Sequence, residues 1–159
     1  MSETRADLLN KKFKVNQIRN AVYAYIKYLK TEMGKSKDEI TELLKKMGHN
    51  IGLTYANYWK PDFKDELDLM REIHRTVFRT AARVRQTDSE ISVVSRSCPL
   101  CKYRRENIDV SGHNIIIGFI ETFFEILSKE NPQLPKIKGI SEASRIFGDK
   151  KCQYKFKIE

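Results

Sequence analysis

Cys98 and Cys101, inside a Cys-Pro-Leu-Cys run, together with His113 and Cys152, include every cysteine of the chain and one of its three histidines. Three thiols and an imidazole have the ligand number and residue types of a tetrahedral zinc site. The four residues come from three separate segments, so an ion held by all of them would pin those segments together. Two cysteines separated by two residues reach one ion from a tight turn, with sulfur about 2.3 Å from zinc. A redox pair of the thioredoxin kind would instead follow a strand and open a helix, a pattern not found here. Bland alternatives stand beside this reading: a free cysteine such as Cys152 is often a small buried hydrophobe, and His113 could only cap its helix or bond in the core. His74 is the rival fourth ligand and His49 the weaker one. Four nitrogen and sulfur ligands close the shell and displace the water that a catalytic zinc activates. The chain has neither His-Glu-x-x-His nor His-x-Glu followed by a cysteine pair. A structural ion is therefore expected.

The bulk numbers bound the function classes. At 159 residues, 40% hydrophobic and 32% charged, the chain has the length and balance of one soluble domain. No apolar run reaches the 18 to 20 residues of a membrane span; Ile115 to Leu127 is broken by Glu121 and Glu125. The opening Met1-Ser-Glu-Thr-Arg-Ala-Asp carries acids and no apolar core, unlike a signal peptide. A cytoplasmic location is expected, where cysteines serve as metal ligands more often than as disulfide partners. The formal net charge of +9 suits an anionic partner, and Tyr103-Arg104-Arg105 follows the cysteine pair. Yet the lysines between positions 11 and 46 alternate with acids and apolar residues rather than forming a basic tail. Eleven residues separate Cys101 from His113, with no second histidine after it, so finger-type spacing is missing. Nucleic-acid binding is the less favoured reading.

Periodicity orders the elements. Leu8 to Phe13 reads as a short leading helix or arm, and Val15 to Met33 as a helix carrying Ile18, Val22, Tyr25 and Leu29, stopped by Gly34. Ser36 and Glu39 form a capping-box signature ahead of Ile40, Leu43, Leu44 and Met47. That helix is expected to run as far as Trp59, with Gly48 and Gly52 permitting close approach of another backbone. Asp62 is the expected cap of a third helix bearing Leu67, Met70 and Ile73. The period then changes: Val84, Ile91, Val93 and Val94, split by Thr87-Asp88-Ser89, read as a hairpin. Ser111 to Lys129 is nearly all apolar and should be the central buried helix. Ile137 to Ile146 reads as a strand, Phe147 to Lys150 as a turn, and Gln153 to Glu159 as a strand whose Tyr154, Phe156 and Ile158 face inward. The fold class is α+β: N-terminal helices plus a buried C-terminal helix packed on one face of an antiparallel sheet of about four strands. We expect one domain over 1–159, helical over 1–80, with the sheet, metal knuckle and buried helix over 81–159.

From about Ile91 onward the chain resembles the 4-vinyl-reductase-like, hydrocarbon-binding domain family, which is related to the TRAPP-complex subunit and haem-NO-binding folds. Members carry a cysteine beginning a helix with a glycine five residues on, then Glu-x-x-Cys-x-x-x-Gly-x-x-x-Cys running into an aromatic strand. Here His113 stands in the first cysteine's place, with Gly118 after it. Glu142, Arg145, Gly148 and Cys152 follow, then Tyr154 and Phe156. Lys46-Met47-Gly48-His49-Asn50-Ile51-Gly52 looks like the family's glycine-bearing second helix. Arg145 and His113 depart from the pattern at two cysteine positions, so a metal would have to recruit the Cys98/Cys101 pair.

The resemblance implies a small-molecule-binding or regulatory module with a tendency to dimerise, and it does not imply reductase chemistry. Tyr55, Trp59, Phe119 and Phe123 are the candidate lining of an apolar ligand pocket, though aromatic residues at helical spacing are usually core. The occupant would be an apolar small molecule or a partner protein, and the exposed faces of the first two helices the homodimer surface. The alternative is a zinc- or thiol-dependent enzyme such as a reductase, needing an open metal position and a carboxylate such as Glu142 or Asp149 nearby. No catalytic residue is singled out.

Overall fold

The computed structural model describes residues 4–159. Helix α1 spans Arg5–Thr31, α2 Lys37–Ala56 and α3 Glu66–Thr76; strands β1 (Ala82–Gln86) and β2 (Glu90–Ser95) follow. Helix α4 covers Asn114–Glu130, then β3 (Ile137–Ala143), a 3-10 turn at Arg145–Phe147, and β4 (Cys152–Ile158). The strands form one antiparallel sheet in the order β1-β2-β4-β3. The α+β architecture read from the sequence is the observed one.

The helix starts follow local chemistry. Ser36 accepts a hydrogen bond from the Glu39 amide, and the Glu39 carboxylate accepts one from the Ser36 amide, closing two orphan donors at once. A second box, Thr4 with Asp7, starts α1 earlier than expected. With no breaker between Phe13 and Val15, the leading arm and the first helix are one element of 27 residues. Helix α3 begins at Asp65, whose Oδ1 accepts from the Asp68 amide at 2.7 Å, not at Asp62. Helix α2 ends at Ala56, short of the expected Trp59.

Helix α4 is the hub. Eleven of its seventeen residues are buried, between the inner sheet face and α2. The contact with α2 is backbone against backbone, because glycine sits at the crossing on both helices. A Cβ on Gly48 would overlap the Ile115 carbonyl oxygen, and one on Gly118 the Lys45 carbonyl. The sheet side of the core is built from Ile91, Val93, Tyr154 and Phe156 against Phe119, Phe123 and Phe124. A second cluster joins Val22, Tyr23 and Ile26 of α1 to Ile40, Leu44, Val110, Ile115 and Ile146.

Strand β4 shows the expected alternation, with Tyr154 and Phe156 buried and Lys155 and Lys157 on the other face. Strand β3 stops at Ala143 rather than continuing to Ile146, because its register slips between Ser141 and Ala143. Ser144 then caps the 3-10 turn, its Oγ accepting from the Ile146 amide and its own amide donating to Asp149 Oδ2. This early exit delivers Ile146 into the second cluster. Gly148, at φ +104°, takes the left-handed turn that glycine permits.

Overpacking at the glycine crossing sets a graded prediction. Gly118→Ala and Gly48→Ala, which press on rigid backbone, should each lower stability by about 3 kcal/mol or more, and Gly52→Ala, facing the Thr122 side chain at 3.1 Å, by only about 1 kcal/mol. Urea unfolding of the three variants checks the order.

Candidate metal centre

Sheet register explains why distant cysteines meet. Ser95 pairs with Cys152 as the last rung of the β2–β4 ladder, so the chain leaving β2 reaches Cys98 three residues later beside the start of β4. The Cys101 amide donates to the Cys98 carbonyl at 3.4 Å, closing the knuckle, and the Arg19 guanidinium holds the Pro99 carbonyl from α1. From the other side, His113 is the residue that precedes α4. Its side chain makes no capping bond and is free to turn inward.

The outcome is that Cys98, Cys101, His113 and Cys152 are all buried, with one ligand atom from each lying within 4.8 Å of the others. Around a tetrahedral zinc, sulfur atoms at bonding distance stand about 3.8 Å apart, so only small inward shifts separate this set from a closed shell. No sulfur is engaged in a disulfide. His113 Nε2 shares a hydrogen bond with Ser141 Oγ at 2.6 Å, while Nδ1 lies 3.8 Å from Cys101 Sγ. That is the arrangement of a metal-ligating imidazole: one nitrogen faces the ion and the other is fixed by an outer partner. The cluster could hold a metal ion.

Electrostatics favour deprotonation at one sulfur first. Hydrogen bonds from Cys152 and Cys98, and then His113, pull the Cys101 thiol well below its ordinary pKa. Its neighbours answer in the opposite sense: Cys98 is pushed well above its usual value by its bonds to Cys101 and Cys152. Cys152 rises to about 11, chiefly through Cys101. Without a cation, three thiolates cannot share this space; with one, they can.

A polar shell surrounds the donors. Ser111 Oγ shares hydrogen bonds with Cys101 Sγ at 3.2 Å and with Ser144 Oγ at 2.8 Å. Tyr23 reaches Cys101 Sγ at 3.5 Å and accepts from the Gly112 amide at 3.2 Å; burial raises its phenol pKa. Sequence reasoning missed Ser111, Ser141, Ser144 and Tyr23. Only Ser111 carried a signal, as the expected start of the buried helix.

The rival histidines are placed elsewhere. His74 lies between Thr80 (Nδ1 to Oγ1, 3.0 Å) and Tyr154 (Nε2 to hydroxyl, 2.7 Å), and His49 Nδ1 bonds Thr122 Oγ1 at 2.8 Å. Glu142 is engaged by Lys155 and Gln153, and Asp149 by the Ser144 amide. Neither carboxylate belongs to the cluster. Of the expected pocket residues, Phe119 and Phe123 stack at 5.4 Å between ring centres, Trp59 stacks on Phe123 at 5.3 Å, and Tyr55 meets Phe119 edge-on at 5.6 Å. The four form a closed aromatic stack.

Against known proteins, the likeness is one of shape. No family model matches the chain, and no curated protein matches it in sequence. A trafficking protein particle complex subunit 3 from Naegleria fowleri, covalently bound to palmitic acid, is similar over 93% of this chain and 96% of its own, with a TM-score of 0.70 and 17% identity. The phenol-responsive sensory domain of the transcription activator PoxR, with phenol, is similar over 88% of this chain and 73% of its own, with a TM-score of 0.55 and 12% identity. This chain has their fold. One of the related folds that the sequence implied, the trafficking-complex subunit, is thereby found; at these identities the likeness stops at architecture. Among the described residues no helix is long and apolar enough to cross a membrane.

His74 provides a pH test of the core beside the centre. Burial depresses its pKa from 6.5 to about 4, so the unfolded chain binds the proton first as pH falls. The group's contribution is whole above pH 6.5 and drains away between 6.5 and 4, an effect of about 3 kcal/mol at its limit. Denaturant unfolding across that range, paired with the His74 ring titration by NMR, should show the loss.

Proposed function

We propose that the protein is a small-molecule-binding or regulatory module of the 4-vinyl-reductase-like class, locked by a structural zinc held through Cys98, Cys101, Cys152 and His113. The fold likeness carries this reading: two proteins with this architecture hold a palmitoyl chain and phenol respectively, both small molecules of mainly apolar surface. Three sulfurs and one nitrogen suit zinc over harder cations. The ion's chemistry here is structural, since it would link the knuckle, the start of α4 and the start of β4 in one shell.

In this reading the apolar ligand enters the aromatic stack. Phe119 and Phe123 are almost wholly buried, whereas Tyr55 is 41% exposed and Trp59 half-buried, so the latter two form a cover that a ligand would part. The protein partner is a second copy. Every buried residue of α1 lies at or beyond Val22, while Leu8, Leu9, Phe13 and Ile18 are each more than half exposed. These exposed apolar side chains are the surface that a second copy would cover.

Trp59 is the only tryptophan and so reports the site directly. Phenol or palmitate added to the purified protein should shift or quench its emission saturably, and Phe123→Ala should weaken the response at least tenfold. A flat titration with both probes would count against the pocket. Native mass spectrometry should give a dimer carrying one zinc per chain, and Leu9→Asp with Phe13→Asp should return it to monomer with the zinc retained.

A further inference from the structure

We propose that the groove between α2 and the free edge of β3 is a docking site for an extended acidic peptide, which adds to the sheet as a fifth strand. Strand β3 is an edge of the sheet, and an edge presents a row of backbone donors and acceptors that another chain can pair with. The direction of that row follows from the β3–β4 ladder. The Glu159 amide donates to the Lys136 carbonyl, and the register continues through Lys138↔Lys157 and Ile140↔Lys155. The alternation of an antiparallel pair then turns the amides and carbonyls of Ile137, Gly139 and Ser141 outward.

At Gly139 this outward pair is already answered by side chains. Its amide donates to Glu121 Oε1 and its carbonyl accepts from Lys45 Nζ, each at 2.6 Å, and the two side chains bridge each other at 3.0 Å. Lys45 and Glu121 thus occupy one position of a missing strand. One step on, Ser141 is exposed, and among the described residues no side chain answers its outward backbone groups.

Beside it runs a cavity of about 800 Å³. Lys37, Thr41 and Lys45 of α2 wall one side, and Gly139, Ile140 and Ser141 of β3 the other. Asn114 also lines it and is 3% exposed; its Oδ1 has no hydrogen-bond partner among the described residues. A helix facing an edge strand across an open groove is a frame for β-strand addition.

Charge selects the occupant. Most ions along the groove are spent internally: Lys155 on Glu90 and Glu142, Lys45 on Glu121, and Asp109 on Lys30. Lys37, Lys138 and Lys157 make no ion pair among the described residues, against one such carboxylate, Glu42. Lys37 is also the first residue of α2, where the helix dipole adds positive potential. Acidic side chains would meet this excess while the backbone pairs with β3.

The test uses the full chain, isotopically labelled for NMR, with two synthetic pools of eight-residue β-prone peptides, one rich in Asp and Glu and one in Lys. The acidic pool should bind and move the Gly139 and Ser141 amides. N-methylation of alternate residues in its best member should weaken binding at least tenfold, as should Lys138→Glu. That variant faces Lys157 across the ladder and so gains an attractive pair, which keeps a loss of binding distinct from a loss of fold. Neither pool binding more tightly than about 1 mM, equal binding by the basic pool, or indifference to N-methylation would each overturn the proposal. The outcome is independent of any response at Trp59.

Discussion

Three sulfur atoms and one imidazole nitrogen, drawn from three segments, meet in a buried space less than 5 Å across. The other features of the C-terminal half answer to that convergence. The last rung of β2 and β4 sets Cys98 near Cys152; the uncapped start of α4 lends His113; Tyr23 and Ser111 reach the sulfur that carries charge first, and Ser144 holds Ser111. An apolar core of this size would tolerate cysteines as small hydrophobes. It would not gather them around a common point, with one thiol pulled down and two pushed up, without cost. A shared cation would turn that mutual opposition into a bond network, which is the ground for proposing a structural ion here.

The second constraint is the crossing of α2 and α4. Gly48 and Gly118 bring two backbones into contact, and this fixes α4 at the depth where His113 reaches the cysteines, Phe119 reaches Tyr55 and Phe123 reaches Trp59. The Cys/His cluster therefore lies at the start of α4 and the aromatic stack along its middle. A ligand that parted the aromatic cover would act on the helix that His113 opens, and under the proposed function that would couple binding to the cluster.

Much of this was legible in the residues. The alternation at Tyr154, Phe156 and Ile158 gave β4, the Ser36–Glu39 box gave the start of α2, the two glycines announced a close crossing, and the Cys-x-x-Cys pair announced the knuckle. What stayed hidden depended on competition or on tertiary reach. Asp62 and Asp65 are equal caps on paper, and only the Asp68 amide decides between them. The end of β3 is set by a register slip and by Ser144, whose capping role needs Asp149 in place. Tyr23 lies far along the chain from Cys101, and no spacing rule connects them. The aromatic residues read as a pocket are packed ring on ring, because side chains that can bury area against each other do so.

The most direct test of the central claim is X-ray absorption at the zinc edge on the purified, metal-loaded protein. The account predicts a four-coordinate shell of three sulfurs near 2.3 Å and one nitrogen near 2.0 Å, losing one sulfur in Cys152→Ser. A shell of oxygen and nitrogen only, or one that Cys152→Ser leaves unchanged, would contradict it.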